Sequence, residues 1–129
     1  MKGFGLTSRP TLEVLSAYSA PQTDIESVAT TPGWHVIGAF KMPLTAELHL
    51  ELIGFVSGAG LTLRARFFDL TAGAPVASSE ASITATTDTI AIGPTIELTG
   101  GHLYQIQAEC TGGGASDEFA TVRAASPTV

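Results

Sequence analysis

The sequence predicts an all-β protein: a single antiparallel β-sandwich of about eight short strands, preceded by an extended N-terminal arm. Three observations carry this prediction. Residues 46–68 alternate apolar and polar side chains on both sides of the glycine-rich turn Ser57-Gly58-Ala59-Gly60. Successive strand side chains point to opposite faces, so this period produces one buried face and one wet face. Turn-forming residues recur roughly every ten positions, the spacing of sandwiches and barrels. No stretch shows sustained helical periodicity with capping residues. Glu13, Asp24 and Glu26 stand near possible helix starts, but the Val, Thr and Pro around them favour extended chain.

Taken in order, residues 1–10 are punctuated by Gly3, Gly5 and Pro10 and read as an arm, leaving 11–129 as the sandwich. Residues 11–18 alternate and predict a first strand. Residues 19–33 hold Pro21 and Pro32 among small polar residues and read as a long loop with a short extended piece at 25–28. Residues 34–41 predict a strand with Trp34, Val36, Gly38 and Phe40 on one face, ended by Pro43. Residues 46–68 predict an antiparallel hairpin. Its inner face is Leu48, Leu50, Leu52, Leu61, Leu63 and Phe67. The run from Asp69 to Pro75 is a turn by composition. Extended structure resumes over 76–84, then at Thr89–Ile92 and 95–98. Gly93-Pro94 separates the last two, and proline cannot donate to a ladder, so the break marks an edge, a bulge or a switch of sheet. Residues 102–110 and 117–125 complete the set.

Composition limits function. The chain has 129 residues, 44% of them hydrophobic and 14% charged, which suits one folded domain and argues against disorder. The formal net charge is -6, with 6 basic residues against 12 acidic. Phosphate backbones and anionic lipid surfaces both call for clustered cations, so neither nucleic acid nor membrane is an expected partner. A single cysteine, Cys110, excludes an intrachain disulfide. No apolar run approaches the ~20 residues of a membrane helix. Residues 1–10 carry a cation but no apolar segment after it, which predicts a protein made and used without a secretory signal.

The best metal-like pattern is Glu47-x-His49-x-Glu51, three potential ligands on one face of a strand. The ordinary reading is a solvated sheet face, with Arg64 and Arg66 on the neighbouring strand forming cross-strand ion pairs. His35 and His102 join no ligand set. No Gly-x-Ser-x-Gly elbow accompanies the serines, and no two carboxylates stand out as an acid/base pair. Cys110 shares the inward phase of Tyr104, Ile106 and Ala108, which suits a small buried hydrophobe better than a nucleophile. Gly112-Gly113-Gly114 lacks the Gly-Lys-Ser/Thr ending of a phosphate loop and reads as a hairpin tip. Asp69, Asp88, Asp117 and Glu118 occupy turns; turn formation explains them more simply than Ca²⁺. Trp34 follows Pro32-Gly33, where it stands either in the core or at a rim. Trp34 and Tyr104 are the candidates for stacking on a sugar ring. Phe68 points opposite to Phe67 and, with Phe55, predicts an apolar contact patch; Phe4 and Leu6 are further interface candidates.

Residues 63–80, with Arg64-x-Arg66-Phe67-Phe68-Asp69-Leu70-Thr71-Ala72-Gly73, and residues 98–108, with Gly101-His102-Leu103-Tyr104-Gln105-Ile106-Gln107-Ala108, resemble β-sandwich modules of bacteriophage virion proteins and bacterial surface proteins. The resemblance rests on 29 of the 129 residues, all within 63–108. It implies a jelly-roll-like sandwich, an oligomeric or decorating role in a virion, and no catalytic residue or cofactor. The leading expectation is therefore a non-enzymatic structural protein of a large assembly, such as a phage head decoration, fibre or tail component. It would act by self-association and contact with other subunits. A carbohydrate-binding module and a small metal-dependent, cupin-like enzyme using Glu47, His49 and Glu51 are the alternatives.

Overall fold

The computed structural model describes residues 22–26, 33–113 and 118–129. The predicted arm (with Phe4 and Leu6) and the predicted strand at 11–18 lie outside these residues. Ten strands follow one another: β1 (Thr23–Glu26), β2 (His35–Lys41), β3 (Ala46–Val56), β4 (Thr62–Asp69), β5 (Ala74–Pro75), β6 (Ala81–Ile83), β7 (Thr89–Ile92), β8 (Ile96–Leu98), β9 (Leu103–Thr111) and β10 (Phe119–Thr128). There is no helix among the described residues.

Two antiparallel sheets form the sandwich. One has the order β1-β10-β3-β7, with β8 continuing the β7 edge along β3; the other has the order β2-β9-β4-β5, with β6 also on β4. Chain order thus jumps from sheet to sheet, and the first and last strands lie side by side. This is the double Greek key of a jelly roll.

The alternation in 46–68 is reproduced, but the hairpin is not. β3 pairs with β10, β7 and β8, whereas β4 pairs with β9, β5 and β6. The Ser57–Gly60 turn carries the chain across the sandwich instead of back along one sheet. Both arrangements have the same period, because alternation records only which side chains are inside. Leu48, Leu50 and Leu52 of β3 and Leu63, Ala65 and Phe67 of β4 all point inward and are fully buried. They meet face to face across the core. Each buried leucine of this kind contributes about 1.5–3 kcal/mol. Phe40 centres an aromatic group, with its ring 5.8 Å from both Phe67 and Tyr104.

β2 departs from the predicted alternation. Its register on β9 slips between Val36 and Gly38, a bulge that places two residues against one. Ile37 and Phe40 consequently face the core, while Val36 is exposed and Trp34 stays outside it. The predicted strand at 76–84 is mostly loop. Ser78 adopts a left-handed φ of 59°, and the Ser79 hydroxyl accepts the Phe67 amide at 3.1 Å while donating to the Val76 carbonyl at 2.8 Å. A side chain thus takes a ladder position. Gly93-Pro94 marks a bulge on an edge. Leu50 accepts the Gly93 amide at 2.8 Å, and the register on β3 has slipped by one residue where Leu48 meets Ile96.

Candidate functional site

The outer face of the β2-β9-β4 sheet carries a dense polar cluster around one tryptophan. β4 turns Arg64, Arg66 and Phe68 outward, and the register sets Arg64 beside Glu109, Arg66 beside Gln107 and Phe68 beside Gln105. Trp34 precedes His35, which pairs with Ala108, so the ring enters beside the same row. The Arg66 guanidinium lies 4.0 Å from the ring centre and that of Arg64 5.4 Å. Both distances fall within the range of a cation–π contact. Arg66 Nε donates to Gln107 Oε1 at 3.0 Å, and Gln107 Nε2 donates to Gln105 Oε1 at 3.0 Å. Arg64 reaches Glu80 at 3.4 Å and forms a close ion pair with Glu109, whose side chain is only 4% exposed. Arg64 Nε is buried without a hydrogen-bond partner.

These contacts replace the expected pairing of Arg64 and Arg66 with Glu47 and Glu51. The four residues lie on different sheets, on opposite outer faces of the sandwich. Glu47, His49 and Glu51 do share the outward face of β3, with Glu47 exposed and directly opposite Glu97 of β8. Among the described residues, no three His, Cys, Asp or Glu side chains are grouped so as to hold a metal ion.

Phe55 and Phe68 are also separated. Phe68 belongs to the face just described, 5.9 Å from the Arg66 guanidinium. Phe55 belongs to the other outer face, under Arg123 at 5.2 Å. Arg123 donates to Asp88 Oδ1 and to Gln22 Oε1, each at 3.1 Å. Phe55, Asp88 and Arg123, with Thr86 and Thr87, border an open pocket of about 320 Å³. The predicted common patch of Phe55 and Phe68 is therefore corrected. Tyr104 is corrected as a stacking candidate as well: it is 2% exposed, and its hydroxyl accepts the Thr99 amide at 2.8 Å. Cys110 is buried, as its phase implies.

One pair escaped sequence reasoning. His102 Nδ1 lies 2.9 Å from Asp69 Oδ2, and Asp69 Oδ1 accepts the Ala72 amide at 2.9 Å. Burial alone would raise the Asp69 pKa. The Ala72 amide and the hydrogen bond and charge of His102 outweigh it and hold the carboxyl below its ordinary value. The pair ties the β4–β5 turn to the start of β9. Its sequence separation of 33 residues left no local signal. The Gln105, Gln107 and Glu109 row was visible as the polar phase of β9, but its partners required the register.

No protein-family model matches the chain, and no curated protein does. Two solved structures of infectious bursal disease virus have the same fold. The Gx strain structure superposes with a TM-score of 0.56 at 18% identity, over 85% of this chain and 30% of that one. The Gt strain structure gives 0.55 at 16% identity, over 85% and 32%. The chain thus spans about a third of the length of the viral chains it matches.

Proposed function

We propose that the protein is a non-enzymatic structural subunit of a virion, acting by association with copies of itself and with other subunits. The jelly-roll topology shared with two structures of infectious bursal disease virus is the observation that carries this reading. The side-chain chemistry agrees with it. Several polar groups on the sheet faces are engaged with one another, as in Arg64–Glu109, Arg66–Gln107 and Arg123–Asp88. The net charge of -6 also suits protein contacts better than a genome-binding surface. Within this class, the resemblance of residues 63–80 and 98–108 to bacteriophage modules favours a decoration, fibre or tail protein. Light scattering of the full chain over a wide concentration range tests the reading. Multimers that grow with concentration are expected, and a strict monomer would overturn it.

A second reading rests on Trp34. An aromatic ring on a hydrogen-bonded polar sheet face is the kind of platform that stacks against a sugar. Arg66 already lies over the ring, so a glycan would have to stack on the side that Arg66 does not cover. As Trp34 is the single tryptophan, its fluorescence should change on titration with the right oligosaccharide. Flat titrations across a broad glycan panel would remove this reading.

A further inference from the structure

The edges of the two sheets are not equally protected. Exposed strand edges invite pairing with another chain, and proteins blunt them with charges, prolines, bulges or short length. β1 carries Asp24 and Glu26, β2 has its bulge and Lys41, β5 has two residues including Pro75, and β8 carries Glu97. β6 has three residues. β7, Thr89-Ile90-Ala91-Ile92, has no charge, no proline and no bulge within it.

Its backbone is also open in a defined way. The Gly93 amide bonds Leu50, so in the continuous register above it Ala91 and Thr89 direct their backbone groups at β3. Ile90 and Ile92 therefore direct their N–H and C=O groups away from the sheet. Their side chains are 61% and 62% exposed and adjoin Ile53, the β3 partner of Ile90. Among the described residues, the edge thus combines unused ladder groups with an apolar stripe.

We propose that β7 is an assembly edge that pairs antiparallel with β7 of a second copy, joining two β1-β10-β3-β7 sheets into one. This deepens the subunit reading above and rests on it. The register follows from geometry. Outward groups must meet outward groups, and within the four residues of β7 only pairing Ile90 with Ile92 of the other copy uses all of them. Ala91 then faces Ala91 across a two-fold axis in a non-hydrogen-bonded pair, with Cα atoms about 4.5 Å apart. The next outward position on each side sets Asp88 against Pro94, which has no N–H, so the ladder stops there. Charge permits the match. The Glu51 residues of the two copies stand three strand spacings apart, about 14 Å. That exceeds the screening length of ~10 Å at 0.1 M salt. Four-residue strands bury far less than the ~1,000 Å² of a stand-alone interface, so the contact is weak singly and acts through repetition.

The test uses the full chain. Ala91→Cys places two thiols within disulfide reach across the axis, while native Cys110 is buried and serves as the control background. Under mild oxidation, Ala91→Cys should give covalent dimer at least tenfold above the unsubstituted protein. Ile90→Lys/Ile92→Lys, on exposed positions, should lower multimer formation in light scattering at least tenfold while keeping the folded Tm. If the protein forms multimers but the lysine variant forms them equally well, the β7 edge is overturned and the subunit reading stands. If the protein is a monomer throughout and Ala91→Cys yields no dimer, both fail.

Discussion

The guanidinium of Arg66 sits 4.0 Å from the centre of the Trp34 ring, and the same side chain donates to Gln107. Trp34, just ahead of β2, is thereby held against the β9-β4 face. Such contacts contribute about 0.5–1 kcal/mol at exposed sites and more when desolvated. Arg66→Ala should therefore lower stability by about 1 kcal/mol and move the emission of the single tryptophan to longer wavelength. An unchanged spectrum would show that the ring is held by something else.

The Arg64–Glu109 pair is asymmetric, and the asymmetry predicts which partner matters more. Arg64 is 39% exposed and Glu109 only 4%. Removing the arginine strands a buried carboxylate; neutralising the carboxylate leaves an arginine that reaches water and Glu80. Arg64→Met should cost about 2–3 kcal/mol, discounted for that exposure, and Glu109→Gln about 1 kcal/mol. Urea denaturation of the two variants checks the order. Equal losses would contradict it.

Asp69 predicts an acid-sensitive contribution. Its folded pKa lies below the ordinary carboxylate value of about 3.9. A depressed carboxyl stabilises the fold above the unfolded pKa, and that stabilisation is lost as pH falls through the folded value. Asp69→Asn keeps an acceptor for the Ala72 amide but loses the charge beside His102. It should be less stable than the parent at neutral pH by about 1 kcal/mol. The two Tm curves should converge as pH falls below the ordinary carboxylate range. A constant offset down to the acid limit would assign the effect to packing.

Two turn glycines should respond differently to alanine. Gly73, with a φ of 76°, faces open space, so Gly73→Ala meets only the left-handed backbone penalty of about 1 kcal/mol. Gly112, with a φ of 96°, would also drive its new Cβ into the carbonyl oxygen of Gly60 at the turn between β3 and β4. Gly112→Ala should cost at least 1 kcal/mol more than Gly73→Ala. Thermal melts of the pair decide it.

What the sequence disclosed and what it withheld follow from the range of each signal. Period two along 46–68 reported faces correctly, and every predicted inner residue from Leu48 to Phe67 is buried. It was silent on pairing, because a hairpin and a crossing between sheets bury the same residues. The error about Arg64 and Arg66 descended from that one ambiguity. The β2 bulge separated Val36 from Phe40, which alternation had put on one face, for a related reason: one inserted residue inverts every later prediction of face. The polar row of β9 was legible, and its partners on β4 were not, since the register joins residues some forty positions apart.

The topology also has a kinetic side. Apart from the short β4–β5 pairing, no two strands adjacent in sequence are adjacent in a sheet among the described residues. β1 has to find β10, with Thr23 meeting Val122, near the far end of the chain. Almost every ladder must therefore close a long loop before it yields stabilisation, and proteins so wired fold in milliseconds to seconds. During that interval the uncharged β7 segment is available to any chain that passes. Crowded synthesis would make early encounters between copies a hazard, and in the assembly proposed above rapid docking would turn the same delay to use.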